Sequence, residues 1–170
     1  VVMDEQQLSL YLNKKLKAVY FFLLKMGAIK EDAEDIVQET AFQFVQYLDT
    51  LQEEYVDAWL YRVAINKYYD SLRKLKYKNN YVNTFNLEEL LDWTTPEQII
   101  IENELHIMLS ECLRKIPQKY AEILLLKYSG DLSLKDIAII YGTTDKSIKT
   151  QLARAKKKMR KMTSYTLARA

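Results

Sequence analysis

Aromatic and basic side chains alternate through residues 57–76, which read DAWLYRVAINKYYDSLRKLK. The aromatic members are Trp59, Tyr61, Tyr68 and Tyr69, and the basic and amide members are Arg62, Asn66, Lys67, Arg73, Lys74 and Lys76. Bases stack on exposed rings beside basic groups in single-strand nucleic-acid sites, and each stacked base contributes roughly 1–3 kcal/mol. We therefore predict a nucleic-acid surface centred on Arg62, Asn66 and Arg73. Some of the tyrosines could equally be core residues, and for Trp59 we expect a core position.

A second candidate site spans residues 133–158, which fit a helix-turn-helix. Ala138 is small where the two helices must touch, and Gly142 stands where the turn needs a positive φ. Thr144 suits the N-cap of the second helix, and Ile148 would dock that helix on the core. An ordinary helical hairpin would explain these apolar positions but not the basic character of the exposed face.

The second helix of this motif carries the side chains that would contact DNA. With Ile148, Leu152 and Ala155 facing the core, the outward set is Lys146, Lys149, Thr150, Ala153, Arg154 and Lys157. Lys149, Gln151 and Arg154 are the predicted base readers, since glutamine suits adenine and arginine suits guanine in the major groove. The remaining basic residues are either phosphate contacts or a solvated tail: Lys156, Lys157, Lys158, Arg160 and Lys161.

Enzymatic chemistry is poorly supported. One cysteine and one histidine in 170 residues argue against a disulfide framework, a zinc site or any other metal centre. His106 and Cys112 fall on different faces of a predicted helix, and no glycine-rich phosphate loop or nucleophile motif occurs. We expect no cofactor and no small-molecule substrate. No leader and no apolar run of membrane-spanning length is present, so we expect a soluble cytoplasmic protein.

Helical periodicity and charge divide the chain. Apolar residues recur at steps of three and four over Leu8–Leu24, Glu31–Leu48 and Asp57 to about Tyr77. An Asn-rich, acidic stretch follows, and order resumes at Thr95-Pro96, where a helix cap is predicted. Residues 57–80 carry 6 basic and 2 acidic side chains, and residues 131–170 carry 10 and 3, although the whole chain has a net charge of only +2. We predict an all-α protein with two small helical domains, residues 3–77 and 96–163, joined by a flexible linker, residues 78–95.

Three segments together resemble the extracytoplasmic-function (ECF) sigma factors of bacterial RNA polymerase, members of the sigma-70 family. WLYRVAINKYYDSLR is similar to the family's promoter-melting segment, and EDAEDIVQETAFQ, residues 31–43, is similar to its core-polymerase-binding helix. LSLKDIAIIYGTTDKSIKTQLARAKKKMRK resembles its promoter-reading helix-turn-helix. The three lie in the family's order and cover nearly the whole chain.

The resemblance implies a role for each segment. The residues implied to dock on the clamp helices of the largest polymerase subunit are Asp32, Asp35, Ile36, Gln38, Glu39 and Phe42. Those implied to capture the −10 element as a single strand are Tyr61, Arg62, Asn66, Lys67, Tyr68, Tyr69 and Arg73. Those implied to read the −35 element as duplex are Lys146, Lys149, Thr150, Gln151, Arg154 and Lys157. The family also implies an anti-sigma partner, often membrane-borne.

Three residues depart from the family pattern. Thr143 replaces a usual apolar residue, so we expect looser packing of the turn. Gln151 replaces a common basic residue and Ala153 has no polar reach, so we expect an unusual −35 preference. The competing hypothesis is a stand-alone helix-turn-helix regulator whose N-terminal domain senses a ligand or dimerises, which would bind an operator without polymerase.

Overall fold

The computed structural model describes residues 4–78 and 107–169, with side chains over 4–75 and 107–164. Every regular element in these ranges is helical, which confirms the all-α prediction. The chain divides into two compact units, Val1–Thr84 and Phe85–Ala170. Across the described ranges, no helix combines the length and apolar character that a membrane crossing requires.

Three sequence-based expectations fall outside the described residues. They are the predicted linker beyond residue 78, the predicted helix cap at Thr95-Pro96, and the position of His106.

The first helix, α1 (Glu5–Met26), begins three residues before the predicted stretch Leu8–Leu24 and ends two residues after it. Asp4 caps it by accepting a hydrogen bond from the Gln7 backbone N–H at 2.7 Å, and the Gln7 side chain accepts one from the Asp4 N–H. Gly27 ends it with φ 104°, a left-handed conformation that costs glycine little.

Helix α2 (Lys30–Tyr47) and helix α3 (Val56–Lys78) pack with α1 into a three-helix unit, and one turn of 3₁₀ helix, Glu53–Tyr55, precedes α3. Its core includes the fully buried side chains Val19, Phe22, Leu23, Phe44, Leu60 and Tyr68. Val45 belongs to the apolar period over residues 31–48, which favours a core position, but the structure leaves it 62% exposed. Helix α2 turns about 100° per residue, so the inward direction of Phe44 carries Val45 out of the core.

The second unit contains a helix over residues 107–115 (α4), then α5 (Gln118–Tyr128), α6 (Leu134–Tyr141) and α7 (Asp145–Arg169). Helix α7 packs against both α5 and α6. Its inward residues Ile148, Leu152 and Ala155 are buried, as predicted, and the last two join a cluster with Ile116 and Ile123.

The predicted turn between α6 and α7 is confirmed. A capping box between Ser133 and Asp136 starts α6, and Gly142 ends it with φ 61°. The next backbone N–H, that of Thr143, donates to the carbonyl of Ala138 at 2.9 Å, which closes the turn over the small alanine. The Ser147 N–H donates to the Thr144 hydroxyl at 3.2 Å, so α7 has the predicted N-cap.

Candidate functional site

The outward face of α2 is acidic with an apolar end. Asp35, Gln38 and Glu39 are exposed, and Phe42 is 67% exposed, because Ala33, Ile36, Thr40 and Phe44 hold the opposite face in the core. Asp32 is half-buried, and this burial is the main cause that raises the pKa of its carboxyl. The negative charges of Asp35 and Glu31 raise that pKa further. This face can bind a partner that supplies cationic and apolar side chains.

One residue of the predicted docking set is corrected. Ile36 is only 6% exposed, so its side chain belongs to the core of the unit and supports the helix from within. Val45, three residues beyond Phe42, extends the exposed apolar end of the face. The sequence pattern missed it because an isolated valine at helical spacing reads as core.

Fewer of the predicted nucleic-acid residues of α3 share one exposed face than the sequence indicates. Arg62, Asn66 and Arg73 are exposed and lie four and seven residues apart, which puts them along one line of the helix. Tyr69 is half-buried beside this line. An ion pair joins Arg73 to Asp70, so one carboxylate already offsets part of the positive charge.

Two tyrosines predicted to stack on bases cannot do so in this structure. Tyr61 is 3% exposed and meets the ring of Phe22 edge to face, with centroids 5.2 Å apart. Tyr68 is 2% exposed, and its hydroxyl donates to the carbonyl of Met26 at 3.1 Å. Trp59 is half-buried, with its ring 6.0 Å from that of Phe44, in line with the expected core role.

Lys67 faces α2 and not the line of Arg62, Asn66 and Arg73. Its ammonium Nζ lies 2.6 Å from the Glu39 carboxylate Oε2, and the Lys67 side chain is 21% exposed. The pair connects a residue predicted to contact DNA with a residue predicted to contact polymerase. A second ion pair, Lys15 to Asp57 at 2.7 Å, fixes the start of α3 on α1.

The exposed surface of α7 agrees with the expected recognition helix, with one exception. Exposed positions are Lys146, Lys149, Thr150, Ala153, Arg154 and Lys157. Gln151 is half-buried: its amide Nε2 donates to the Ser147 hydroxyl at 3.0 Å, and its Oε1 is buried without a hydrogen-bond partner. The hydrogen bond to Ser147 therefore competes with pairing of the Gln151 amide to an adenine, although Gln151 lines the groove between α5 and α7.

Helix α5 contributes residues to this surface that the sequence pattern did not single out. Lys119 and Tyr120 border a groove of about 590 Å³ together with Thr150 and Arg154 of α7. The ammonium of Lys158 lies over the Tyr120 ring at 5.8 Å. A basic groove beside a recognition helix can hold a DNA phosphate.

Comparison with known proteins assigns both units. Residues 12–77 match the family Sigma-70 region 2, and residues 106–159 match Sigma-70, region 4. The RNA polymerase sigma factor SigV of Bacillus subtilis is 32% identical over 143 residues, which cover 82% of each chain. The chain belongs to the ECF sigma factors of the sigma-70 family. The ECF RNA polymerase sigma factors SigW and SigM of the same organism are each 28% identical, over 84% and 89% of this chain and 81% and 90% of theirs.

Solved structures of sigma factors share the fold. RpoE of Bartonella quintana, crystallised with the anti-sigma factor NepR, superposes with a TM-score of 0.68 at 18% identity, over 91% of this chain and 95% of its own. CnrH, in complex with the cytosolic domain of CnrY, gives a TM-score of 0.66 at 18% identity, over 95% and 90%. This sigma factor directs RNA polymerase to promoters, and its family consists of transcription initiation factors rather than catalysts. Its described residues contain no cluster of side chains that could hold a metal ion.

Proposed function

We propose that this sigma factor divides promoter recognition between its two units. Residues 3–77 act as the region that binds core polymerase and captures the −10 strand, residues 96–163 read the −35 duplex, and residues 78–95 link them. The factor acts in the cytoplasm, where its polymerase works, and performs no catalysis of its own.

Polymerase docking uses the exposed face of α2. The observation that carries this proposal is the combination of exposed Asp35, Gln38 and Glu39 with an unusually exposed phenylalanine, Phe42, on one helix of the sigma region 2 match. Carboxylates steer a basic partner and set its orientation, and an exposed aromatic ring gains free energy when the complex buries it. Such a face is unsuited to DNA, which carries the same charge.

Strand capture uses the exposed line of α3. Arg62, Asn66 and Arg73 can hold the phosphates and edges of an unpaired strand, and the half-buried Tyr69 is the remaining tyrosine of the set for stacking. Taking a base out of a duplex costs a few kcal/mol, and the contacts made to the captured base must offset this cost. In the second unit, Lys149 and Arg154 read base edges while Lys146, Thr150 and Lys157 hold the backbone.

An anti-sigma factor is the proposed regulator. RpoE and CnrH, whose folds this chain shares, were solved with the anti-sigma factor NepR and with CnrY respectively. Either unit presents exposed charged helices that such a partner could cover.

The proposal is tested by transcription with purified components. Bacterial core polymerase and this chain are mixed with a genomic fragment library, and discrete start sites are expected only when both proteins are present. Tight duplex binding by the chain alone, with no complex and no transcripts, would instead establish the stand-alone regulator.

The docking face is tested with a double variant. Asp35→Ala with Gln38→Ala is expected to weaken binding to core polymerase by about tenfold, equivalent to about 1.4 kcal/mol. Glu34→Ala, an exposed acidic residue of the same helix outside the proposed set, is the matched control and should leave the affinity unchanged. Far-ultraviolet circular dichroism checks that helicity is retained. An unaltered affinity in the double variant would refute the docking assignment.

A further inference from the structure

A groove of about 280 Å³ runs between α2 and α3, within the first unit. Its α2 wall includes Asp32, Asp35 and Glu39, three residues of the proposed polymerase-binding face. Its α3 wall includes Lys67, Asp70 and Lys74. The groove is therefore continuous with the docking face. Half of its charged side chains nevertheless come from α3, the helix that the sequence predicts to contact DNA.

Helical spacing separates this α3 wall from the residues that face DNA. Lys67, Asp70 and Lys74 follow one another at three and four residues, so they form their own line along the helix. Arg62, Asn66 and Arg73 form the neighbouring line. The 2.6 Å contact between Lys67 and Glu39 fixes which of the two lines faces α2.

The charges of the groove are only partly neutralised within the unit. Lys67 pairs with Glu39, and Asp70 pairs with Arg73. Among the described residues, Asp32, Asp35 and Lys74 form no ion pair. Burial and the adjacent carboxylates also disfavour the charged form of Asp32, raising the pKa of its carboxyl, so a cation brought to the groove would be bound favourably.

We propose that the polymerase-binding surface continues from α2 across this groove onto α3, and that Lys67, Asp70 and Lys74 contact core polymerase. The partner is a polymerase helix whose contacting face carries both basic and acidic side chains. Its basic groups meet Asp32, Asp35 and Asp70, and an acidic group meets Lys74. Lys67 is thereby moved from the −10 surface to the polymerase surface. This inference rests on the proposed docking of α2.

The test separates polymerase binding from strand capture. Lys67→Ala and Lys74→Ala are each titrated against labelled core polymerase, with Lys14→Ala, an exposed lysine of α1, as the matched control. The affinity of each groove variant is expected to fall by about threefold to tenfold, the range for loss of one interfacial charge contact that stays partly solvated. Holoenzyme assembled at saturating sigma factor should then bind a −10 non-template oligonucleotide with the wild-type affinity.

Opposite results would overturn the inference. If core affinity is unchanged while holoenzyme carrying Lys67→Ala binds the oligonucleotide more weakly, Lys67 is a DNA contact and the groove is not part of the docking surface. If the groove variants resemble Lys14→Ala in both measurements, the groove has neither role, whereas the Asp35 and Gln38 variant still reports on α2. Failure of the wild-type chain to bind core polymerase at all would refute the proposed function itself.

Discussion

Two buried tyrosines of α3, Tyr61 and Tyr68, lie seven residues apart and have opposite hydroxyl environments. The Tyr61 hydroxyl is buried and has no hydrogen-bond partner, whereas the Tyr68 hydroxyl donates to the carbonyl of Met26. Replacing each by phenylalanine removes one oxygen and keeps the ring that fills the core. We expect Tyr61→Phe to stabilise the first unit and Tyr68→Phe to destabilise it.

The magnitudes follow from what each oxygen does. A buried polar group without a partner costs about 1–3 kcal/mol, so removing the Tyr61 hydroxyl should raise the free energy of unfolding by about 1 kcal/mol. Removing the Tyr68 hydroxyl loses a hydrogen bond and leaves the buried side of the Met26 carbonyl without that donor. The expected loss is about 1–2 kcal/mol.

Urea unfolding of the full chain measures both changes. Trp59 packs near Phe44 in the first unit, so its fluorescence reports on that unit. Trp93, which lies outside the described residues, is replaced by phenylalanine in all variants so that Trp59 is the sole fluorophore of its kind. Equal destabilisation by the two substitutions, or a loss with Tyr61→Phe, would refute the assignment of an unsatisfied hydroxyl.

The pH dependence supplies an independent check on Tyr61. Burial, and to a lesser degree the charge of Asp57, raises the pKa of its hydroxyl above the ordinary value of 10.0. The folded state therefore favours the neutral phenol: this contribution to stability is complete below about pH 10 and is lost as the pH rises further. Tyr61→Phe should reduce the alkaline loss of stability. Part of the alkaline loss of stability will persist in this variant, because burial also raises the pKa of the Tyr11 hydroxyl.

Two further predictions concern the second unit. Gly142→Ala should lower the free energy of unfolding by about 1 kcal/mol through its backbone conformation alone, since φ is 61° and an added Cβ meets nothing within 4 Å. Gly130→Ala is the control without a positive φ, and equal losses in urea titrations of the two variants would contradict this cause. Arg154→Ala should weaken −35 binding by about 1–3 kcal/mol and relax the preference at one base pair, whereas Lys157→Ala should weaken all sequences alike and reduce the salt slope by about one. Competition binding at several salt concentrations distinguishes them, and identical behaviour would refute the separation of base reading from phosphate contact.

Local signals in the sequence were sufficient for the elements. Gly142 and the Thr144 cap act within one or two helical turns, so the helix ends they favour do not depend on distant residues. The spacing of Ala138, Gly142 and Ile148 likewise indicates the helix-turn-helix. A small residue, a residue with positive φ and an apolar residue at these separations fit few other structures. The docking residues of α2, by contrast, were implied by the resemblance to the ECF sigma factors and not by the local pattern.

Only the tertiary structure decided which faces of α3 and α7 are available. Helix α3 carries aromatic and polar side chains around much of its circumference, so its own periodicity does not identify the buried direction. Packing on α1 and α2 buries Tyr61 and Tyr68, leaves Arg62 and Asn66 exposed, and turns Lys67 towards Glu39. Gln151 is held in the same way by Ser147 and its surroundings. A sequence therefore determined which side chains this sigma factor could use, and the contacts between helices determined which of them it presents to a partner.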